Sequence, residues 1–165
     1  MCDVSRDEFF MREALKLAKK AADEGEAPVG CVIVLDGEII GRGYNLREQS
    51  GNPLTHAEII AINEASSQVY GWRLCGATAY VTLEPCPMCA GALINSRIDR
   101  VVFGARDPKA GSCGSVINLF ELPYNHKPEL CSGVLEAECA DVLSHFFSGL
   151  RERNKLRKKE KTDEV

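Results

Sequence analysis

Strands that alternate with helices, an early hairpin signal and a long closing helix predict a three-layer α/β/α sandwich. Its centre is a mixed sheet, flanked by helices on both faces. The chain has 165 residues, 45% hydrophobic and 27% charged. That size suits one globular domain, able to bury roughly 70% of its unfolded surface. No apolar run approaches the ~20 residues of a membrane span. The first 25 residues mix acids and bases and contain no secretory apolar core, so a cytoplasmic protein is expected.

The elements follow in order. Ser5 and Glu8 match a capping box, and Phe9, Ala14, Leu17, Ala18 and Ala21 follow at helical spacing, with Gly25 as a stop. Residues 28–35 form a short apolar run, then Asp36-Gly37, then 38–43. This reads as a β-hairpin, because Asp-Gly accepts the positive φ angles of a tight turn. Residues 44–54 are polar and read as a loop. Residues 55–67 read as a helix with Ile59, Ile60 and Ile62 as core candidates, and 78–83 (TAYVTL) as a strand. A helix over 85–95 starts with Pro in its first turn. A strand follows over 100–104, a Gly-rich loop over 106–115, and a helix from 136 to about 159.

Charge is uneven. The whole chain carries a formal -4, whereas residues 151–165 hold seven bases and four acids, net +3. The body is therefore acidic and only the end is basic, the pattern of a possible polyanion-binding tail or of a solvated helix end. There are eight cysteines. In a cytosolic chain they should be reduced, and special spacing should signal metal or redox chemistry.

Two segments carry that spacing: Thr55-His56-Ala57-Glu58 and Glu84-Pro85-Cys86-Pro87-Met88-Cys89. Cys86 and Cys89 lie three apart at a helix start, on one face, where the helix dipole favours thiolate. Soft thiolates suit zinc. A bare C-x-x-C is also a redox pair, and the chain has no second one. His56 lies at another helix start, so two helix N-termini could converge on one metal held by His56, Cys86 and Cys89. Three protein ligands leave a fourth position for water, whose pKa zinc lowers to about 7. Glu58, two residues past a ligand, can reach that water as a proton carrier. Read alone it is a first-turn acid complementing the helix dipole. His126 and His145 lack such context and read as structural.

H-x-E followed by P-C-x-x-C resembles the signature of zinc-dependent nucleoside and base deaminases. The likeness extends to APVG at 27–30, GYN at 43–45, HAEIIA at 56–61, residues 81–115, and GVLEAECADVLSHFFSGLR at 133–151. On these segments, from about residue 8 to 153, the chain closely resembles the bacterial tRNA-specific adenosine deaminases.

The resemblance implies a cytidine deaminase-like fold. It implies one zinc-dependent deaminase domain over 1–153, with 154–165 a partly disordered basic tail. It implies one Zn2+ per subunit on His56, Cys86 and Cys89. Glu58 would move a proton from the water to N1 of adenine and then to the leaving amine. Attack at C6 and loss of ammonia would turn wobble adenosine of a tRNA anticodon stem-loop into inosine. Asn45 would bond the flipped base, the backbone at Ala57 and Glu84 would hold its edge, and Val29 would pack on it. Asp107 would contact the neighbouring nucleotide. Phe146, Phe147, Arg151 and Arg153 would form part of an RNA platform. A homodimer is implied, and no nucleotide cofactor or membrane.

Plainer readings exist for several of these. Val29 fits a core strand, Asn45 a loop cap, Asp107 a turn before Pro108, and the arginines surface charge. Cys31, Cys75 and Cys113 read as buried thiols, although Cys113, in the loop beside the site, could be reactive. The same zinc motif also serves small-molecule deaminases of guanine, cytosine or cytidine. A non-catalytic zinc or RNA-binding module would instead need a closed four-ligand site and no role for Glu58.

Overall fold

The computed structural model describes residues 4–163. Helix α1 (Val4–Asp23) leads into the hairpin β1 (Gly30–Leu35) and β2 (Glu38–Tyr44). A one-turn α2 (Arg47–Ser50) and α3 (Ala57–Gln68) precede β3 (Thr78–Leu83), α4 (Pro87–Asn95) and β4 (Arg100–Ala105). A short β5 (Glu129–Ser132) and the long α5 (Glu136–Asp163) close the fold. The sheet order is β2-β1-β3-β4-β5. β1 is antiparallel to β2 and β3, whereas β3, β4 and β5 run parallel. The expected α/β/α sandwich with a mixed central sheet is what the chain forms.

Side-chain alternation along the strands builds two cores. Cys31, Ile33, Ala79, Val81, Val101 and Phe103 face α3 and α4. Val32, Val34, Tyr80 and Val102 face α1 and α5. At the hairpin, Asp36 (φ 51°) and Gly37 (φ 84°) both take positive φ, as its tight turn requires. On the α1 face Asp7 is fully buried and accepts two 2.7 Å bonds from Arg100 and one of 3.0 Å from the Tyr80 hydroxyl. Burial works against the charge, but the Arg100 and Tyr80 bonds win and hold the Asp7 carboxyl below its ordinary value. Removing one partner of such a buried pair costs about 3–5 kcal/mol.

The structure departs from the sequence reading in several places. β5 was not anticipated, because only Cys131 of its four residues is buried. α2 sits inside the segment read as a loop. α4 starts after Cys86, with Pro87 as its first residue. Val4 already belongs to α1, so Ser5 does not precede its first turn. In α1 the buried stripe runs through Phe10, Met11, Ala14, Leu15, Ala18 and Ala21, and Phe9 is 58% exposed. In α3 the fully buried residues are Ala57, Ala61 and Ala65, not the three isoleucines, which are half-buried.

The reason for the last change lies in β2. A Cβ at Gly41 or Gly43 would strike the backbone carbonyl of Ala61 or Ala57. Glycine in the strand and alanine in the helix let α3 press directly onto the sheet, and larger isoleucines are turned to the flanks. On the outer side of β2 the Glu64 carboxylate of α3 accepts the Arg42 backbone N–H at 2.7 Å.

The strand directions gather the chain ends at one end of the sheet. The entry to β1 and the exits of β2, β3 and β4 all lie there, beside the N-termini of α3 and α4. Open sheets bind ligands beyond the carboxyl ends of their parallel strands.

Gly43→Ala is expected to lower stability by at least about 1–3 kcal/mol, the cost of overpacking a close contact. It should also lower the zinc content, because α3 carries His56. Urea unfolding and metal analysis of the purified variant check this.

Candidate active site

His56 is the cap residue of α3 and Cys86 that of α4, both with extended backbone (ψ 155° and 172°). Cys89 lies in the first turn of α4. Both helices thus turn their free N–H ends, favourable to negative charge, toward one spot. His56 Nδ1 lies 3.7 Å from Cys86 Sγ and 3.6 Å from Cys89 Sγ. Two ligands of a tetrahedral zinc, one nitrogen and one sulfur, stand about 3.6 Å apart. The three ligand atoms all lie within 4.8 Å of one another. Donor type and spacing therefore fit one zinc per chain. Three ligands make an open site rather than a closed structural one.

The electrostatics of the trio fit a cation. The bonds that Cys86 accepts from Cys89 and from His56 outweigh burial and draw its thiol down to about 4. The shared proton then stays on buried Cys89, whose own ionisation is pushed up by the Cys86 bond and by burial. His56 is raised, mainly by its bond to Cys86, against the opposing effect of burial. Glu58, 4% exposed, is raised mainly by burial. A metal can replace the shared proton and turn both thiols into ligands.

These groups open onto a cleft of about 280 Å³. Its walls include Val29, Asn45, His56, Ala57, Glu58, Glu84, Cys86, Asp107 and Phe147. Cys89 lies behind the wall, fully buried. Val29 is half-buried, and its carbonyl accepts the Asn45 backbone N–H at 3.2 Å. Asp107 does hold its own turn, its Oδ1 accepting Lys109 N at 2.9 Å and Ala110 N at 3.3 Å. It still reaches the cleft rim. Phe146 and Phe147 pack edge to face with ring centres 5.3 Å apart. Phe147 lines the cleft, whereas Phe146 lines an adjoining groove. Arg151 and Arg153 are exposed and lie outside the cleft walls, and Arg151 donates to Ser148 Oγ at 3.0 Å. Ala27, Arg47, Leu83 and Ala110 also line the cleft and were not anticipated. Each lies within three residues of a site residue already singled out, Ala27 near Val29, Arg47 near Asn45, Leu83 beside Glu84 and Ala110 near Asp107, and that closeness is the one signal that could have found them. His126 and His145 bond to the carbonyls of Ile98 and Asp141, outside the site.

Glu84 organises the opposite wall. Its side chain, 2% exposed, accepts the backbone N–H groups of Asp107, Cys113 and Ser115 at 3.0 Å each, and the Ser115 hydroxyl. Burial would raise its pKa, but these four bonds outweigh it and lower the carboxyl below its ordinary value. One carboxylate therefore ties the loop bearing Asp107 and Ala110 to the end of β3. Cys113, 2% exposed, has its thiol pushed up to about 12 by burial, so it is not a reactive thiolate at neutral pH. Cys31 is buried and its thiol pushed up too, whereas Cys75 is exposed rather than buried. Cys31, Cys75, Cys86, Cys89, Cys113 and Cys139 are free thiols, as expected.

Fold, donor set and buried acid define a class. The family model for the cytidine and deoxycytidylate deaminase zinc-binding region matches residues 4–105, and the protein is a zinc-dependent hydrolytic deaminase. Over 157 residues the chain is 53% identical to the tRNA-specific adenosine deaminase of Bacillus subtilis (strain 168), covering 94% of this chain and 98% of that one. A structure from studies of A-to-I editing by tRNA:A34 deaminases superposes with TM-score 0.80 at 43% identity, over 82% of this chain and 99% of the other. A Thermotoga maritima diaminohydroxyphosphoribosylaminopyrimidine deaminase/5-amino-6-(5-phosphoribosylamino)uracil reductase is 35% identical with TM-score 0.71, over 92% of this chain but 43% of that one. The chain belongs to the tRNA-specific adenosine deaminase family. No helix among the described residues is long and apolar enough to cross a membrane.

Two outcomes follow. Purified protein should carry one zinc per chain by elemental analysis, and Cys89→Ala should lose it. Glu84 has a depressed folded pKa, so its stabilising contribution is present at neutral pH and is lost as pH falls through that value. Glu84→Gln should therefore be less stable than the parent at pH 7, with the gap narrowing under acid. Urea midpoints at the two pH values measure this.

Proposed function

We propose that the protein hydrolyses the exocyclic C6–amine bond of adenosine at the wobble position of a tRNA anticodon loop, leaving inosine and ammonia. The observation that carries the reading is Glu58: a buried carboxylate on the cleft wall, two residues past one metal ligand, beside a three-ligand site with room for a base. His56, Cys86 and Cys89 would hold zinc, which when bound would lower the pKa of its water and make hydroxide available at neutral pH. Glu58 accepts one proton of the attacking water and delivers it to N1, then carries the second proton, from the new C6 hydroxyl, to the departing amine, which leaves as ammonia. Asn45 bonds the base edge, the backbone at Ala57 and Glu84 holds it, and Val29 covers its face. Asp107 contacts the adjacent nucleotide at the rim.

Phe147 offers a ring at the cleft mouth on which an unpaired base can stack, with Phe146 beside it. Beyond them the exposed Arg151, Arg153, Lys155 and Arg157 of α5 put positive charge next to an otherwise acidic body. A splayed single-stranded loop is read by stacking and base-edge bonds, so it needs fewer cations than a duplex. In this reading residues 1–153 form the deaminase domain and 154–165 a basic tail. The enzyme works in the cytoplasm as a homodimer, in keeping with the exposed Leu54, Val116, Ile117 and Tyr124 of its loops.

The test is deamination of a synthetic anticodon stem-loop with wobble adenosine, beside free adenosine, guanine and cytidine. Inosine is expected in the stem-loop alone. Glu58→Ala should keep its zinc and lose at least about 10²–10⁴-fold in rate, the worth of a general acid–base. Turnover of a free base or nucleoside instead would assign the site to a small molecule.

A further inference from the structure

One buried acid near the cleft has no part in the mechanism above. Glu26 follows α1, its backbone N–H bonded to Ala21 O at 2.9 Å, and it is fully buried. Its carboxylate faces the segment that leaves β2. Oε2 accepts Asn45 Nδ2 at 3.2 Å and the Glu48 backbone N–H at 3.2 Å. Oε1 accepts the Gln49 backbone N–H at 2.8 Å.

An amide side chain has two faces of opposite character: a nitrogen that donates and an oxygen that accepts. Both Glu26 oxygens accept backbone N–H groups, and Oε2 also accepts from the Asn45 nitrogen, so the Asn45 oxygen turns elsewhere. Asn45 itself is only 6% exposed and sits on the cleft wall. Its backbone is held separately, by Val29 O. The same carboxylate holds the amides of α2, next to Arg47 of the cleft wall.

We propose that Glu26 is a positioning residue for substrate recognition, fixing which end of the Asn45 amide meets the bound base and holding the 45–49 wall in place. It touches no reacting atom. The proposal rests on the assignment of Asn45 to the base edge.

The test is a double-mutant cycle on the zinc-loaded enzyme, with Glu26→Met and Glu26→Gln, each alone and with Asn45→Ala. Met keeps the volume without an acceptor. Gln keeps the shape with one acceptor oxygen in place of two. Expected for Glu26→Met is full zinc and a fall in kcat/KM of about tenfold to a hundredfold, borne more by KM than by kcat. The fall should be smaller for Gln. In the Asn45→Ala background neither change should cost more, because the residue through which Glu26 acts is gone.

A second readout does not need turnover. The Asn45 side-chain amide hydrogens should exchange slowly with solvent in the parent and quickly in Glu26→Met. Losses that multiply in the double variants, an Asn45 amide undisturbed by Glu26→Met, or loss of zinc in both Glu26 variants would overturn the proposal. Failure of the parent enzyme on the stem-loop would instead remove the RNA reading. The amide exchange tests Glu26 in either case.

Discussion

The closeness of α3 to β2 is the constraint on which the site depends. Zinc chemistry tolerates little error in where a ligand sits, and His56 is placed by a helix, not by a loop of its own. Because Gly41 and Gly43 leave no side chain between strand and helix, the α3 backbone rests on the β2 backbone. The first turn of α3 is then set against the end of β3, where Cys86 and Cys89 begin α4. A thicker interface would move His56 away from its two thiols and Glu58 away from the cleft.

The second half of the site is held by charge rather than by packing. Glu84 and Glu26 are both buried, and both direct their oxygens at backbone N–H groups of neighbouring segments, Glu84 at the loop after β4 and Glu26 at α2. Such bonds are charge-assisted and directional. They let a loop without regular structure and a one-turn helix hold a fixed shape at the mouth of a cleft. Carboxylates thus set three parts of one cavity: Glu58 in its floor, Glu84 on one wall, Glu26 behind the other.

The sandwich and the metal trio were legible because local chemistry encodes them. Proline after Cys86 and three-residue thiol spacing put both sulfurs at a helix start in any context. The Asp36-Gly37 turn is equally local. Asn45, Val29 and Asp107 could be singled out only through resemblance, since each also fits an ordinary turn or strand. Arg47, Leu83 and Ala110 had only their nearness to site residues to mark them, and Glu26 was illegible, because its place behind Asn45 exists only after distant segments meet. The isoleucines of α3 misled for the same reason: which side of a helix is buried depended on glycines in another strand. β5, with four residues and one buried side chain, is too short to leave a period.

The bond from the Arg42 backbone N–H to Glu64 bears on how the molecule meets other chains. β2 is the outermost strand, and an unpaired strand edge is a template on which another extended chain can add. Here a helix side chain occupies an edge donor, and β2 itself carries Glu38 and Arg42. That rim of the sheet is consequently poor ground for strand addition, whether by an extended partner or by a second molecule during aggregation. Association at the far end of the sheet from β5 has to proceed through side-chain surfaces.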